Sequence, residues 1–133
     1  MVMATMNKKA MDGYGRGAVE SEVNYASPHR IIQMLIDGAL SKVAIAKGCI
    51  ERNDIPGKSR HITWAINIIN GLRTSLDTQK GGDIAVNLDS LYDYMGRRLL
   101  ESNVQNDPAI LDEVTSLLKE IKLGWDSIPP EYH

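Results

Sequence analysis

The chain has 133 residues, of which 43% are hydrophobic and 24% charged, and its formal net charge is -2. This length fits one domain with one core, and the near-balanced charge argues against general affinity for nucleic acid or anionic membrane. Cys49 is the only cysteine, which excludes an internal disulfide and fits a reducing compartment. No apolar run approaches the roughly 20 residues of a membrane span, and no secretory signal is evident, so we expect a cytoplasmic protein.

Residues 1–18 are predicted to form a flexible arm, because Gly13, Gly15 and Gly17 interrupt any periodic pattern. Tyr14 stands between two of these glycines and allows two interpretations. It is either an incidental tyrosine in a disordered tail, or a ring on a mobile arm that docks in a groove and can be displaced. Residues 20–25 can add a short helical turn before the first long helix.

The strongest helical pattern covers residues 27–50. Ser27 can cap the helix by accepting a backbone N–H, and Pro28 suits the first helical position. Apolar residues recur along one face at spacings of three and four, while Ile31 and Leu40 lie outside it. A helix that is apolar on more than one side needs several neighbours, or a partner from outside the chain. The main face consists of Ile32, Leu35, Ile36, Ala39, Val43, Ala46 and Ile50.

Three further helices are predicted at residues 57–78, 83–102 and 108–125, with a glycine-containing break at residues 80–82. Asn53 and Asp54 are the cap candidates before the second helix, and Asn106 and Asp107 before the fourth. No stretch alternates with period two, so strands are not expected. Short connections make sequential helices antiparallel. The predicted fold is therefore all-α, an up-down antiparallel four-helix bundle over residues 19–126 with a short N-terminal cap segment, followed by a tail at residues 127–133.

No pattern for catalysis or metal binding emerges from the sequence. It lacks the Glu-x-x-His, His-Glu-x-x-His and Cys-x-x-Cys spacings. His29, His61 and His133 are scattered along the chain, which favours surface or capping roles over metal ligation. Cys49 has no assignable activating group and is expected to be a core or boundary residue. We expect neither an enzyme nor a bound cofactor or metal.

Arginines and surplus apolar residues leave two questions open. Arg73, Arg97 and Arg98 could form an RNA-binding patch, but the neighbouring acidic residues Asp89 and Asp93 favour a solvated face of mixed charge. The surplus apolar residues either fill a bundle core or line grooves open to an amphipathic or extended partner. The groove candidates from the pattern alone are Ile32, Ile36, Ile66, Leu88 and Tyr92.

Three segments of the chain resemble the FliS family of bacterial flagellar export chaperones, and the resemblance covers nearly everything from Tyr14 onward. The segments are ASPHRIIQMLIDGAL at residues 26–40, the stretch from AINIINGL to NVQND at residues 65–107, and the pattern EV…LL…W at residues 113–125. The run LDTQKGGDIAVNLDSLYDYM within the second segment is the most specific part. Gly96 departs from the bulky apolar residue common in the family, and we expect it to deepen a local groove or to permit close helix approach.

The resemblance implies a cytosolic chaperone that binds the disordered C-terminal region of flagellin, prevents its premature polymerisation and assists its delivery to the flagellar type III export apparatus. A component of the export gate is a further implied partner, whereas nucleic acid and membrane are not expected. The resemblance also implies that Tyr14 plugs a client groove in the free protein. The expected partner-binding residues are Tyr14, Ile32, Leu35, Ile36, Ile66, Ile69, Leu88, Leu91, Tyr92 and Met95.

Two alternative functions stay open at this point. The first is a helical-bundle adaptor or regulatory protein that binds another amphipathic helix or RNA. The second, motivated by the fold class alone, is a metal-dependent bundle enzyme. The sequence is compatible with a monomer and with a homodimer.

Overall fold

A computed structural model describes residues 26–133, most of which are α-helical. Four helices follow one another: α1 (Pro28–Glu51), α2 (Ile55–Thr74), α3 (Thr78–Gln105) and α4 (Pro108–Asp126). A one-turn 3-10 helix, Pro130–Tyr132, comes after α4. Residues 26–133 contain no β-strand, which confirms the predicted all-α class. Tyr14, the rest of the predicted arm and the predicted helical turn at residues 20–25 lie outside the described residues.

Each α-helix begins where a side-chain oxygen accepts a backbone N–H of the first turn. Ser27 accepts from the N–H of Arg30 at 3.1 Å at the start of α1. Asp54 and Asp107 play the same part for α2 and α4. The sequence predicts the cap at Ser27 and narrows the other two to Asn53 or Asp54 and to Asn106 or Asp107, and the structure selects the aspartate in both cases. Ser27 and Asp107 stand directly before a proline, which suits the first helical position.

The predicted boundary between the second and third helices is wrong. α2 ends at Thr74, and α3 begins at Thr78 rather than at residue 83. The reason is Asp77, whose carboxylate accepts two N–H groups of the following turn and so starts a new helix inside the segment assigned to the second one. The expected break at residues 80–82 shrinks to Gly82, whose φ of 55° and ψ of -136° favour glycine.

Contacts between side chains show that neighbouring helices run antiparallel. Near the start of α2, the ammonium group of Lys58 donates to the main-chain oxygen of Asn103, near the end of α3, at 2.8 Å. Near the end of α2, Arg73 pairs with Asp89 in the first half of α3. Around the ring, α1 packs on α2 and α4, and α3 packs on the same two helices. The four-helix arrangement expected from the sequence is confirmed.

The core lies along the axis of this ring and comes from the apolar face of every helix. Burial of such side chains is the main favourable term in folding, at roughly 1.5–3 kcal/mol for each large one. The buried cluster consists of Leu35, Ile36, Ala39, Val43 and Ala46 of α1, Ile62, Ala65, Ile68, Ile69 and Leu72 of α2, Tyr92, Met95 and Leu99 of α3, and Leu111, Val114 and Leu118 of α4.

Candidate functional site

An apolar groove with a volume of about 640 Å³ lies at the end of the bundle where α1 begins and α4 ends. Its walls come from the first turns of α1, the connection between α2 and α3, the first half of α3, the end of α4 and the last residues of the chain. Most of the lining is aliphatic. The lining residues contributed by helix faces include Ile32 and Ile36 of α1, Ile84, Leu88 and Tyr92 of α3, and Ile121 of α4.

Helical spacing explains why these side chains meet. Ile84, Leu88 and Tyr92 follow one another at intervals of four residues, so they share one face of α3. Ile84 is 74% exposed at the rim, whereas Tyr92 is only 4% exposed and Ile36 is fully buried. Burial also raises the pKa of the Tyr92 hydroxyl, which stays neutral at physiological pH. The groove therefore combines an open apolar rim with a buried floor.

The end of α4 beside the groove is fastened to α1. The ammonium group of Lys122 lies 3.0 Å from a carboxylate oxygen of Asp37, and Gln33 donates to Asp126 at 2.9 Å. Hydrogen bonds to Asp37 and Asp126 raise the pKa of Lys122, and Lys122 lowers the pKa of Asp126. These contacts hold the α4 wall of the groove against α1.

Polar contacts between α3 and α4 cluster near the opposite end of the bundle. Glu113 accepts hydrogen bonds from Arg98 at 2.7 Å and from Tyr94 at 3.0 Å. The Arg98 guanidinium, followed by the Tyr94 hydroxyl, lowers the pKa of the Glu113 carboxyl. Glu113 lies in the second turn of α4, roughly two turns before Ile121, so these hydrogen bonds join α3 and α4 outside the groove lining.

Three aromatic rings form one edge of the groove. The ring of His29 stacks on Trp125 with 4.8 Å between centroids, and on His133 with 3.5 Å. His29 is 4% exposed, and its Nε2 atom is buried without a hydrogen-bond partner among residues 26–133. Burial lowers the pKa of His29, the nearby His133 adds to this effect, and Asp126 opposes it. The expectation of scattered surface or capping histidines is therefore wrong for His29, which packs inside and contacts a second histidine.

The groove includes four of the residues that we expected to bind a partner, namely Ile32, Ile36, Leu88 and Tyr92. It does not include the other five within the described part of the chain. Leu35, Ile69 and Met95 are sealed in the core by packing from all sides. Ile66 and Leu91 are half-buried and pack against the core elsewhere. Tyr14 lies outside the described residues, so the structure places nine of the ten candidates.

Several residues that line the groove were not among the expected partner-binding residues. Ile84 and Ile121 carry a signal, since each recurs at helical spacing with other apolar residues of its own helix, Leu88 for Ile84 and Leu117 for Ile121. No local sequence pattern marks Ile128, Tyr132 and His133 as lining residues, because they follow the last predicted helix and reach the groove only through tertiary structure. Gly96 does not contribute: a Cβ atom there would meet no heavy atom within 4 Å, so close helix approach does not explain this glycine.

The arginines proposed as an RNA patch are all paired with carboxylates. Arg73 contacts Asp89 at 2.6 Å and Asp93 at 3.1 Å, and Arg97 lies 3.1 Å from the same Asp93. Arg98 pairs with Glu113 as described above. A phosphate would have to compete with these carboxylates, so the mixed-charge interpretation is the one that the structure supports.

Metal sites and membrane-spanning helices are the remaining features to consider within residues 26–133. No group of three or more His, Cys, Asp or Glu side chains in this part of the chain is placed to hold a metal ion. None of the described helices is long and apolar enough to cross a membrane.

Comparison with known proteins gives a consistent result. The sequence profile of the family described as "Flagellar protein FliS" matches residues 10–132. "Flagellar secretion chaperone FliSB" of Pseudomonas aeruginosa is 51% identical over 120 residues, which cover 90% of this chain and 95% of the relative. "Flagellar secretion chaperone FliS" of Salmonella typhimurium is 48% identical over 89% of this chain and 88% of its own. The protein of the same name from Vibrio cholerae is 43% identical over 93% and 91%.

Proposed function

Because this chain belongs to the FliS family, whose relatives are named flagellar secretion chaperones, we propose that it binds the disordered C-terminal segment of flagellin in the cytoplasm. Family membership supports the export-chaperone role in general. The flagellin segment, the prevention of premature polymerisation and the delivery to the flagellar type III export apparatus are our proposal. A component of the export gate is the second proposed partner.

The observation that carries this proposal is the open apolar groove. The core of the bundle does not include Ile84. Most of the Ile84 side chain is exposed to water, and it lines the groove together with Leu88. Apolar surface exposed next to a complete core is typical of an interaction site. The lining of the groove suits apolar side chains from an amphipathic helix or an extended segment.

Holding a polymerising client requires a particular balance of free energies. A disordered segment loses conformational entropy when it is ordered on a surface, so its affinity reflects only the surplus from buried apolar area. While its apolar side chains lie in the groove, they are unavailable for contacts with other flagellin copies. The chaperone thus opposes polymerisation by mass action, and neither nucleotide nor catalysis is needed for holding.

We extend the proposal to Tyr14 and the predicted arm. α1 begins beside the groove, and Pro28 belongs to the groove lining. Residues 14–26 can span at most roughly 40 Å when fully extended, which is ample to return to the groove. We propose that Tyr14 occupies part of the groove in the free protein and is displaced by the client.

The first experiment is calorimetric titration of a flagellin C-terminal fragment into the full chain, with size-exclusion chromatography of the mixture. We expect measurable heat and co-elution. A fragment of equal length with its apolar residues replaced by serine is the matched control and should not bind. Absence of both heat and co-elution with the unaltered fragment would refute the proposed function.

Isoleucine methyl NMR then tests the site. The groove contains Ile32, Ile84 and Ile121, whereas Ile45 and Ile55 are partly exposed elsewhere on the bundle. Addition of the flagellin fragment should shift the methyl resonances of the three groove isoleucines and leave those of Ile45 and Ile55 unchanged. Salt-dependent retention of RNA by the free protein, with no methyl shifts on addition of flagellin, would favour the RNA-binding adaptor instead.

A further inference from the structure

Residues 127–133, which we call the strap, turn back from the end of α4 and reach the start of α1. The one-turn helix Pro130–Tyr132 brings the ring of His133 onto the ring of His29, with 3.5 Å between centroids and 6° between planes. The His133 ring is also fixed to the strap itself, because its Nε2 lies 2.8 Å from the main-chain oxygen of Ile128. The strap is thus a folded segment with one aromatic contact at its far end.

Three strap residues, Ile128, Tyr132 and His133, line the groove. Ile128 is half-buried, whereas Tyr132 is 76% exposed and His133 is also exposed. The strap therefore takes up space at one end of the groove without sealing it. A segment held by so few contacts can leave its position at low cost in free energy.

The ring on which His133 stacks carries a buried polar atom that this arrangement does not satisfy. His29 Nε2 is buried and has no hydrogen-bond partner among residues 26–133. A buried polar atom without a partner disfavours the arrangement that buries it. Departure of His133 would uncover one face of the His29 ring, while Trp125 still stacks on it. The closed arrangement of the strap is accordingly only weakly favoured.

We propose that the strap is an autoinhibitory segment that occupies the His29 end of the groove in the free protein and leaves it when the client binds. The stacking of His133 on His29 is the latch that holds it closed. This inference rests on the proposed function, because it concerns how occupancy of the same groove is regulated. Client and strap compete for one end of the groove, so each lowers the occupancy of the other.

The test compares three variants with the full chain by calorimetric titration of the flagellin C-terminal fragment. A chain ending at Ile128 should bind roughly three- to tenfold more tightly, which is the gain expected if the open state makes up about a third to a tenth of the free protein. His133→Ala should show part of that gain. Glu131→Ala is the matched control, since Glu131 is exposed and does not line the groove, and its affinity should not change.

Equal or weaker binding by both the shortened chain and His133→Ala would overturn the proposal. Circular dichroism of each variant checks that the bundle is intact, and His133→Ala keeps the test decisive if the shortened chain fails to fold. A separate measurement on the free full chain needs no client. Nuclear Overhauser contacts between the His29 and His133 rings should be present. Their absence would overturn the proposal that the strap occupies this end of the groove, whether or not flagellin binds.

Discussion

The indole N–H of Trp125 donates a hydrogen bond to the main-chain oxygen of His29 at 3.0 Å. This contact joins the last turn of α4 to the first turn of α1, and the stacked rings of the same two residues reinforce it. It lies at the edge of the groove, next to the Lys122–Asp37 ion pair. The α1 and α4 walls of the groove are therefore held together, while the first half of α3 faces them across the gap.

Replacement of this indole should weaken the whole bundle. Trp125→Phe keeps an aromatic ring but removes the N–H donor, so we expect the free energy of unfolding to fall by about 1 kcal/mol. Urea denaturation followed by circular dichroism measures the change. Trp64→Phe is the control for loss of an indole, because Trp64 lies on α2 and takes no part in the contact between α4 and α1. A Trp125→Phe protein as stable as the unaltered chain would contradict this account of the groove edge.

Two glycines of α3 should respond in opposite directions to alanine. Gly82 has a positive φ, so Gly82→Ala should lower the free energy of unfolding by about 1–3 kcal/mol. Gly96 is helical and has open space around it, so Gly96→Ala should raise stability by about 0.5–1 kcal/mol. Thermal denaturation of both variants tests the pair. If both substitutions shifted the melting temperature in the same direction, the different backbone conformations described for Gly82 and Gly96 would be contradicted.

The buried imidazole of His29 should make stability depend on pH. Its folded-state pKa lies below the unfolded value near 6.5, so the folded state binds its proton less readily. The contribution of the neutral His29 side chain to the free energy of unfolding is therefore fully present above pH 6.5. It is lost as the pH falls from there through the folded-state pKa of His29. The titratable groups that act on this ring are His133 and Asp126, while Asp77 and Lys80 lie elsewhere in the groove lining.

Urea titrations at pH 7.5, 6.5 and 5.5 measure this dependence. The unaltered chain should lose stability across the series, and His29→Gln should lose less, because it lacks the titrating group. His61→Gln serves as the control for a histidine outside the stack and should keep the full pH slope. Identical slopes for the unaltered chain and His29→Gln would show that His29 does not titrate as proposed.

Tyr14 provides a prediction about the arm. Tyr14→Ala should leave the unfolding transition unchanged and should raise the affinity for the flagellin fragment several-fold, because the client no longer competes with the ring. Met3→Ala, a substitution in the same predicted arm, should leave the affinity as it was. Calorimetry on the two variants decides the point, and unchanged affinity for Tyr14→Ala would refute the gating role.

Much of the fold was predictable because its determinants are local. Ser27 and Asp107 mark helix starts through their own side chains, and the apolar periodicity of α1 and α4 is read from neighbouring turns. The start of α3 was mispredicted because Asp77 also fits the interior of a longer second helix. At Asp77 the start of a new helix competes with continuation of the preceding helix, and the sequence alone does not decide between the two.

The site was only partly predictable, because a helical pattern shows that a residue is apolar but not which neighbour it meets. Leu88 and Met95 are seven residues apart and so share one face of α3, yet the first lines the groove and the second is sealed in the core. The contact of His133 with His29 joins distant parts of the sequence and has no local signal. Such features depend on which side chains of different helices meet in the folded chain, and a helical pattern does not show this.

The most direct test of the central claim compares two exposed apolar residues of α3. Ile84 is 74% exposed and lines the groove, whereas Val104 is 84% exposed and lies outside it. Calorimetry with the flagellin C-terminal fragment should show roughly tenfold weaker binding for Ile84→Gln, equivalent to about 1.4 kcal/mol, and no change for Val104→Gln. Equal affinities for the two variants, or a larger loss for Val104→Gln, would show that the client does not bind in the groove.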